Sequence, residues 1–353
     1  MNQLKWKKLE FSRTSIIKAG KAIKKENISY DEEKDTRKII DNWRASHAFP
    51  LHIIYVHLRR MTEGNSKIIV AERLKRLDSI ISKLKREPNM SLWSMQDLGG
   101  CRVIVPTVDD VYKFSEKYEK SRKRHILRKT YDYIQNPKSS GYRSLHRVYQ
   151  YKSDKNSTYN NNMLIEIQYR THLQHIWATA VETMGLFTKE AIKSGQGSDD
   201  VRRFFALISN LFAMEESQPL IPEISNDKNK IINEIKHLNS ENNYLDRLSS
   251  IKVAVDNQEK IKDLNIKNNS IGYCILILNY NTKRLRILYY LSSEFEKANK
   301  VYNSIESAHA ETKIDAVLVR VSSFKSLKAA YPNYFSDIEN FINKVKEYLT
   351  MND

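Results

Sequence analysis

The stretch Tyr131-Asp132-Tyr133-Ile134-Gln135-Asn136-Pro137-Lys138-Ser139-Ser140-Gly141-Tyr142-Arg143-Ser144-Leu145-His146, followed by Ile165-Glu166-Ile167-Gln168-Tyr169-Arg170-Thr171, decides how this chain is read. Residues 163–170 alternate as a strand, with Ile165 and Ile167 on one face and Glu166, Gln168 and Arg170 on the other. Residues 142–151 read as its neighbour, with Tyr142, Ser144 and His146 on one face and Leu145 on the opposite one. The polar, asparagine-rich segment 154–162 joins the two as a hairpin. An aromatic ring, a histidine, a carboxylate and several cations on one sheet face make a poor core and a good nucleotide site. Tyrosine stacks on a base, while arginine and lysine hold phosphates.

Upstream, residues 36–62 read as helix interrupted near Pro50, with Ile39, Ile40 and Trp43 at helical spacing. A second helix is expected over 67–85, where Arg73, Ser79 and Lys83 would turn their polar ends to one side. The apolar run 101–105, ended by Pro106, reads as a buried strand with Asp97 just before it and Arg102 inside it. Thr107 is placed to cap the next helix, with Asp109 and Asp110 in its first turn. Thr171 caps another, running to about residue 193. Asp97 and Glu166 together suit magnesium, which takes one or two protein carboxylates alongside phosphate oxygens. The order of elements predicts an α+β protein, a mixed sheet backed by helices.

A linker zone follows, marked by Pro219, Pro222 and the polar stretch 226–230, with an amphipathic connecting helix over 231–257. Beyond about 263 a small ββαβα unit is expected: a hairpin of 272–280 with 285–290, a helix over 293–309, a strand over 315–321 and two more helices. This divides the chain into 1–262 and 263–353. Tyr331-Pro332-Asn333-Tyr334 lies in the last part.

The 353 residues carry 59 Lys and Arg against 42 Asp and Glu, a formal net charge of +17, which favours phosphate-rich partners. No apolar run approaches a bilayer span, and the basic segment 1–25 lacks the apolar core of a secretory signal. A cytoplasmic location with no membrane partner is the expectation. Cys101 and Cys274 each sit in a strand-like apolar run and read as buried, reduced thiols.

The patterns Arg-x-Lys-x-x-x-Ser-Ile (73–80), Asp-Leu-x-x-x-Arg-Val-Ile-Val (97–105), Asp-Tyr-Ile-x-Asn-Pro-Lys-x-x-Gly-Tyr-x-Ser-Leu-His (132–146) and Glu-Ile-Gln-x-Arg-Thr (166–171) resemble RelA/SpoT-type pyrophosphokinase domains. The resemblance covers about residues 67–190 and implies a synthetase of nucleotidyltransferase-like fold. It implies that ATP is the pyrophosphate donor, with Arg73 and Arg102 flanking its adenine and Lys75, Ser79 and Lys83 on its phosphates. Asp97 and Glu166 would be the catalytic carboxylates and hold Mg2+. Tyr142 would stack on the acceptor base, with Lys138, His146 and Gln168 around its ribose and phosphates. Two features depart from the long enzymes of this kind: Tyr131 replaces a charged residue, and no His-Asp pair of a hydrolase half occurs.

Relatives of this kind divide by acceptor, some modifying GDP or GTP and others the 3′ adenosine of tRNA. The large basic excess favours tRNA, with no role for DNA, and a (p)ppGpp alarmone synthetase is the alternative. The Tyr-x-x-Tyr segment resembles the CapRel-type fused toxin–antitoxins. In that resemblance the C-terminal unit is a pseudo-zinc-finger-like regulatory domain, Tyr331 and Tyr334 block the ATP site, and a phage structural protein, the major capsid protein, relieves the block.

Overall fold

A computed structural model describes residues 6–155, 157–188, 198–249, 254–256, 272–279, 282, 284–309, 314–321, 327 and 338–350. Three helices come first: α1 (Arg13–Ala22), α2 (Tyr30–Ser46) and α3 (Ala48–Met61). The interruption expected near Pro50 in the helical stretch 36–62 falls three residues earlier, where α2 and α3 meet at His47. Pro50 lies in the first turn of α3, where its missing N–H has no intrahelical partner to lose.

The helix expected over 67–85 is a strand followed by a helix. Strand β1 (Ile69–Leu74) is paired on both sides, Arg76 is extended, and only Leu77–Arg86 winds into α4. Local spacing favoured a helix, but the ladder partners of β1 come from distant sequence and outweigh it. Strand β2 (Gly99–Val105) and helix α5 (Val108–Lys120) follow as read, and the Thr107 hydroxyl accepts from the Asp110 N–H, 3.1 Å away.

Strand β3 (Ile126–Asp132), unread in the sequence, forms an edge of the sheet. Strand β4 starts at Leu145 rather than at 142 and ends at Gln150, and β5 spans Leu164–Thr171. The Thr171 hydroxyl accepts from Gln174 N–H at the start of α6 (His172–Thr188).

Ahead of Pro219, where no element is expected from the sequence, lies α7 (Asp199–Glu215), whose Phe204, Phe205, Leu207, Ile208 and Leu211 are buried in a large apolar cluster. The connecting helix over 231–257 is interrupted at Asn243, which is left-handed (φ 53°). It therefore splits into α8 (Lys228–Asn242) and α9 (Tyr244–Ser249), followed by the short strand β6 (Ala254–Asp256).

The C-terminal ββαβα order is present: β7 (Gly272–Asn279), β8 (Arg284–Tyr290), α10 (Phe295–His309), β9 (Ile314–Val321) and a last helix α11 (Glu339–Thr350). The separate pseudo-zinc-finger-like character expected of this unit is not seen among the described residues, whose strands belong to the main sheet. The strands join one nine-stranded sheet, ordered β3-β4-β5-β2-β1-β9-β7-β8-β6. Among the described residues, only β2–β5 and β6–β8 are parallel pairs. One continuous core backs it, uniting α3, α5 and α10 through residues such as Tyr55, Phe114 and Tyr302. Both cysteines are buried free thiols, as read, and burial raises the pKa of each. No helix among the described residues is long and apolar enough to cross a membrane.

Candidate active site

Strand register builds the site. Tyr131 lies opposite His146, His146 opposite Gln168, Gln168 opposite Arg102, and Arg102 opposite Ala71. The parallel row runs through Glu166, Gly100 and Arg73. Laterally paired residues point to the same side of a sheet, so these side chains share one face. The opposite face carries Ile165, Ile167 and Cys101 into the core. An open pocket on the polar face is lined by Ala71, Arg73, Lys75, Asp97, Gly100, Cys101, Arg102, Glu166 and Gln168.

On the donor side, Lys75 Nζ and Lys83 Nζ both donate to Asp97 Oδ2, at 2.9 and 3.1 Å. Burial works against the Asp97 charge, but these two cations outweigh it and hold the carboxyl below its ordinary range. Asp97 Oδ1 is buried and has no hydrogen-bond partner among the described residues. Such an oxygen is costly unless something binds it. Arg73 and Lys75 reach the pocket from β1 and the turn after it, not from the helix that carries Ser79 and Lys83. Ser79 stands one turn before Lys83 on α4 and does not line the pocket.

Farther along the face, His146 Nδ1 lies 3.0 Å from Glu166 Oε1, and Gln168 Nε2 donates to Glu166 Oε2 at 2.6 Å. Burial opposes both charges, but Tyr142 and then Glu166 outweigh it at His146 and raise it to about 9, while His146 and the Gln168 hydrogen bond lower Glu166 to about 2. The Tyr142 hydroxyl lies 2.8 Å from His146 Nε2 and accepts from Arg170 at 2.6 Å. Its ring is buried, whereas Tyr131 and Tyr133 are half-buried and nearly parallel, their centres 6.0 Å apart. Lys138 Nζ stands 4.5 Å over the Tyr133 ring and 5.6 Å over Tyr142.

Two supports had little local signal. Arg170 reaches both Tyr142 and Gln168; alternation with Glu166 and Gln168 put it on this face, but its role needed the fold. Arg143 donates to Ser209 Oγ and to the Pro219 carbonyl, and Ser209 donates to the Gly141 carbonyl. The loop before β4 is thus pinned to α7. Tyr331 and Tyr334 lie outside the described residues.

A sheet face with paired carboxylates, surrounding cations and half-buried aromatic rings has the chemistry to receive a nucleotide phosphate. Residues 72–189 match the model of the region found in RelA / SpoT proteins, so the chain carries a RelA/SpoT-type region. It is 37% identical over 112 residues to GTP pyrophosphokinase YjbM of Bacillus subtilis (strain 168), covering 31% of this chain and 52% of that protein. It is 31% identical over 112 residues to GTP pyrophosphokinase YwaC of the same organism, covering 30% of this chain and 52% of that protein. The chain thus spans about half the length of these curated relatives. Among solved structures, the small alarmone synthetase 1 of Bacillus subtilis bound to its product pppGpp aligns at 26% identity. That alignment has a TM-score of 0.38 and covers 47% of this chain and 86% of that one.

Proposed function

We propose that this protein transfers pyrophosphate from ATP to a ribose hydroxyl of GDP or GTP. The observation that carries this reading is the pocket gathering Arg73, Lys75, Asp97, Arg102, Glu166 and Gln168 on one sheet face. The match of residues 72–189, and the guanosine acceptor in the names of the curated relatives, support it. The acceptor oxygen attacks the β-phosphorus in line, the new O–P bond forms as the bond to the α-phosphate oxygen breaks, and AMP leaves. Positioning and charge neutralisation supply most of the rate.

Arg73 and Arg102 hold the adenine, and Lys75 and Lys83 take the phosphates, with Ser79 one turn before Lys83 on the same helix. The bare, buried Oδ1 of Asp97 fits a divalent cation. Asp97 and Glu166 would hold Mg2+, which supplies charge neutralisation on the transferred group. Glu166, held ionised by His146, accepts the hydrogen bond of the acceptor hydroxyl and takes its proton as the new O–P bond forms. Lys138, Tyr142, His146 and Gln168 line the acceptor side. The test offers labelled ATP with GDP or GTP in one tube and with tRNA in another. Label appearing in the guanosine nucleotide is the expected result, and label in tRNA alone would overturn it.

The charge of +17 favours a second reading, in which the acceptor is the 3′ adenosine of tRNA. That reading includes a C-terminal latch at Tyr331 and Tyr334, released by a phage capsid protein. It predicts that Tyr331→Ala with Tyr334→Ala slows growth more than the parent at equal expression.

A further inference from the structure

Helix α4 begins without a cap of its own. Its N-cap residue is Arg76, which makes no side-chain capping bond, and the first intrahelical bond is donated by Ile80. The N–H groups of the first turn therefore need acceptors from elsewhere. Leu77 finds one 229 residues away, in Glu306 Oε1 of α10, at 3.0 Å. The other oxygen of the same carboxylate, Oε2, accepts from Arg44 Nη1 at 3.1 Å.

Arg44 is fully buried on α2 and also donates to Asp41, while Asn303 of α10 accepts from Arg44 and donates to Asp41 at 2.7 Å. Burial works against the Arg44 charge, but Glu306 and Asp41 outweigh it and raise its pKa. One carboxylate from the C-terminal segment thus ties α2, α4 and α10 together. It does so at the dipole-positive end of a helix, where negative charge is favoured. Two turns along that helix stands Lys83, whose Nζ meets Asp97 in the pocket.

We propose that Glu306 is a positioning residue for the donor-phosphate site, setting the placement of Lys83 and Asp97 through the start of α4. The proposal rests on the reading of Lys75, Lys83 and Asp97 as the ATP side. It makes helix 295–309 part of the donor site although it touches no substrate, and it makes any shift of that helix a change in ATP affinity. A second tie runs in the same direction, since β9 pairs with β1 and places Val319 opposite Arg73.

Two variants separate positioning from bulk stability. Glu306→Gln removes the charge facing Arg44 and keeps an oxygen for the Leu77 N–H. Glu306→Leu combined with Arg44→Met replaces the buried ion pair by apolar groups, a change that often preserves stability, and removes the acceptor for Leu77. In the intact 353-residue chain the double variant is expected to stay folded at the assay temperature, with KM for ATP raised about ten-fold, the equivalent of one lost hydrogen bond. KM for the guanosine nucleotide and kcat stay within about two-fold. Glu306→Gln is expected to melt lower and yet keep its KM for ATP below that temperature. A double variant with parental KM for ATP, or with both KM values raised together, overturns the proposal.

A measurement on the unaltered protein covers the case in which the variants do not fold. Coupling is reciprocal, so the non-hydrolysable donor analogue AMPCPP should slow amide hydrogen exchange in residues 77–86 and in 295–309 together. Binding with protection at 77–86 and none at 295–309 sinks this proposal alone. A protein that binds no AMPCPP sinks the donor reading, and this proposal with it.

Discussion

Asp97 and Glu166 sit in the same pocket but in different electrostatic settings. Asp97 is flanked by Lys75 and Lys83 and keeps one oxygen without a partner among the described residues; each oxygen of Glu166 accepts a hydrogen bond, from His146 and from Gln168. Replacing either by its amide keeps the volume and removes the charge. Asp97→Asn and Glu166→Gln are each expected to lower pyrophosphate transfer by at least about a hundred-fold, with an unchanged far-ultraviolet dichroism spectrum. Near-normal turnover by either would remove that residue from the catalytic pair. The ion pair with His146 also makes a pH prediction. The folded pKa of His146, about 9, lies above its ordinary 6.5. Its contribution to stability is therefore fully present below about 6.5 and lost as pH rises through about 9. Glu166 is shifted the other way, to about 2, so its contribution holds above its ordinary 4.5 and is lost as pH falls towards 2. His146→Gln should destabilise by about 2 kcal/mol at neutral pH, and denaturant unfolding should show the gap to the parent closing above about pH 9. A gap independent of pH would mean that His146 is neutral in the folded protein.

Between residue and molecule, the loop before β4 shows how one element positions another. Gly141 has φ of +90°, a region that side-chain-bearing residues rarely adopt. A Cβ there would stand 2.8 Å from Trp177 Cζ2 on α6 and 2.9 Å from Ser209 Cβ on α7. Gly141→Ala is therefore expected to destabilise by roughly 1–3 kcal/mol through strain and overpacking together. Because Tyr142 follows directly, KM for the acceptor should rise more than KM for ATP, which steady-state kinetics with each substrate varied in turn would read. An equal rise in both would show that the loop does not belong to the acceptor side. The glycine and its motif stand out in the sequence. Their backing does not: Arg143 reaches Ser209 and Pro219, and nothing local announces those partners.

Over the whole molecule, the chain splits at about residue 262 in sequence but not in its sheet or its cores. Strand β9 is hydrogen-bonded to β1, and Phe341, Ile342, Val345 and Tyr348 of α11 are buried against α6 to α9. Residues 1–262 alone would expose that apolar surface, leave Arg44 without Glu306, and leave one side of β1 unpaired. The truncated chain is expected to lack a cooperative thermal unfolding transition and to transfer no pyrophosphate, readable by calorimetry and the labelled-ATP assay. A cooperative, active 1–262 would show that the C-terminal strands merely dock on a finished domain. What the sequence determined by itself was whatever is written in short range: the alternation of β5, the caps at Thr107 and Thr171, the hairpin and helix after 272, and a motif that put Asp97, Glu166, His146 and Gln168 in one site. Tertiary structure alone decided that 69–74 is a strand and not a helix, because its ladder partners lie at 99–104 and 319–320. It likewise decided that α7 is a core helix and that α4 is capped from α10. In each case the deciding hydrogen bond or buried surface comes from residues far along the chain, and the segment's own pattern carries no record of them.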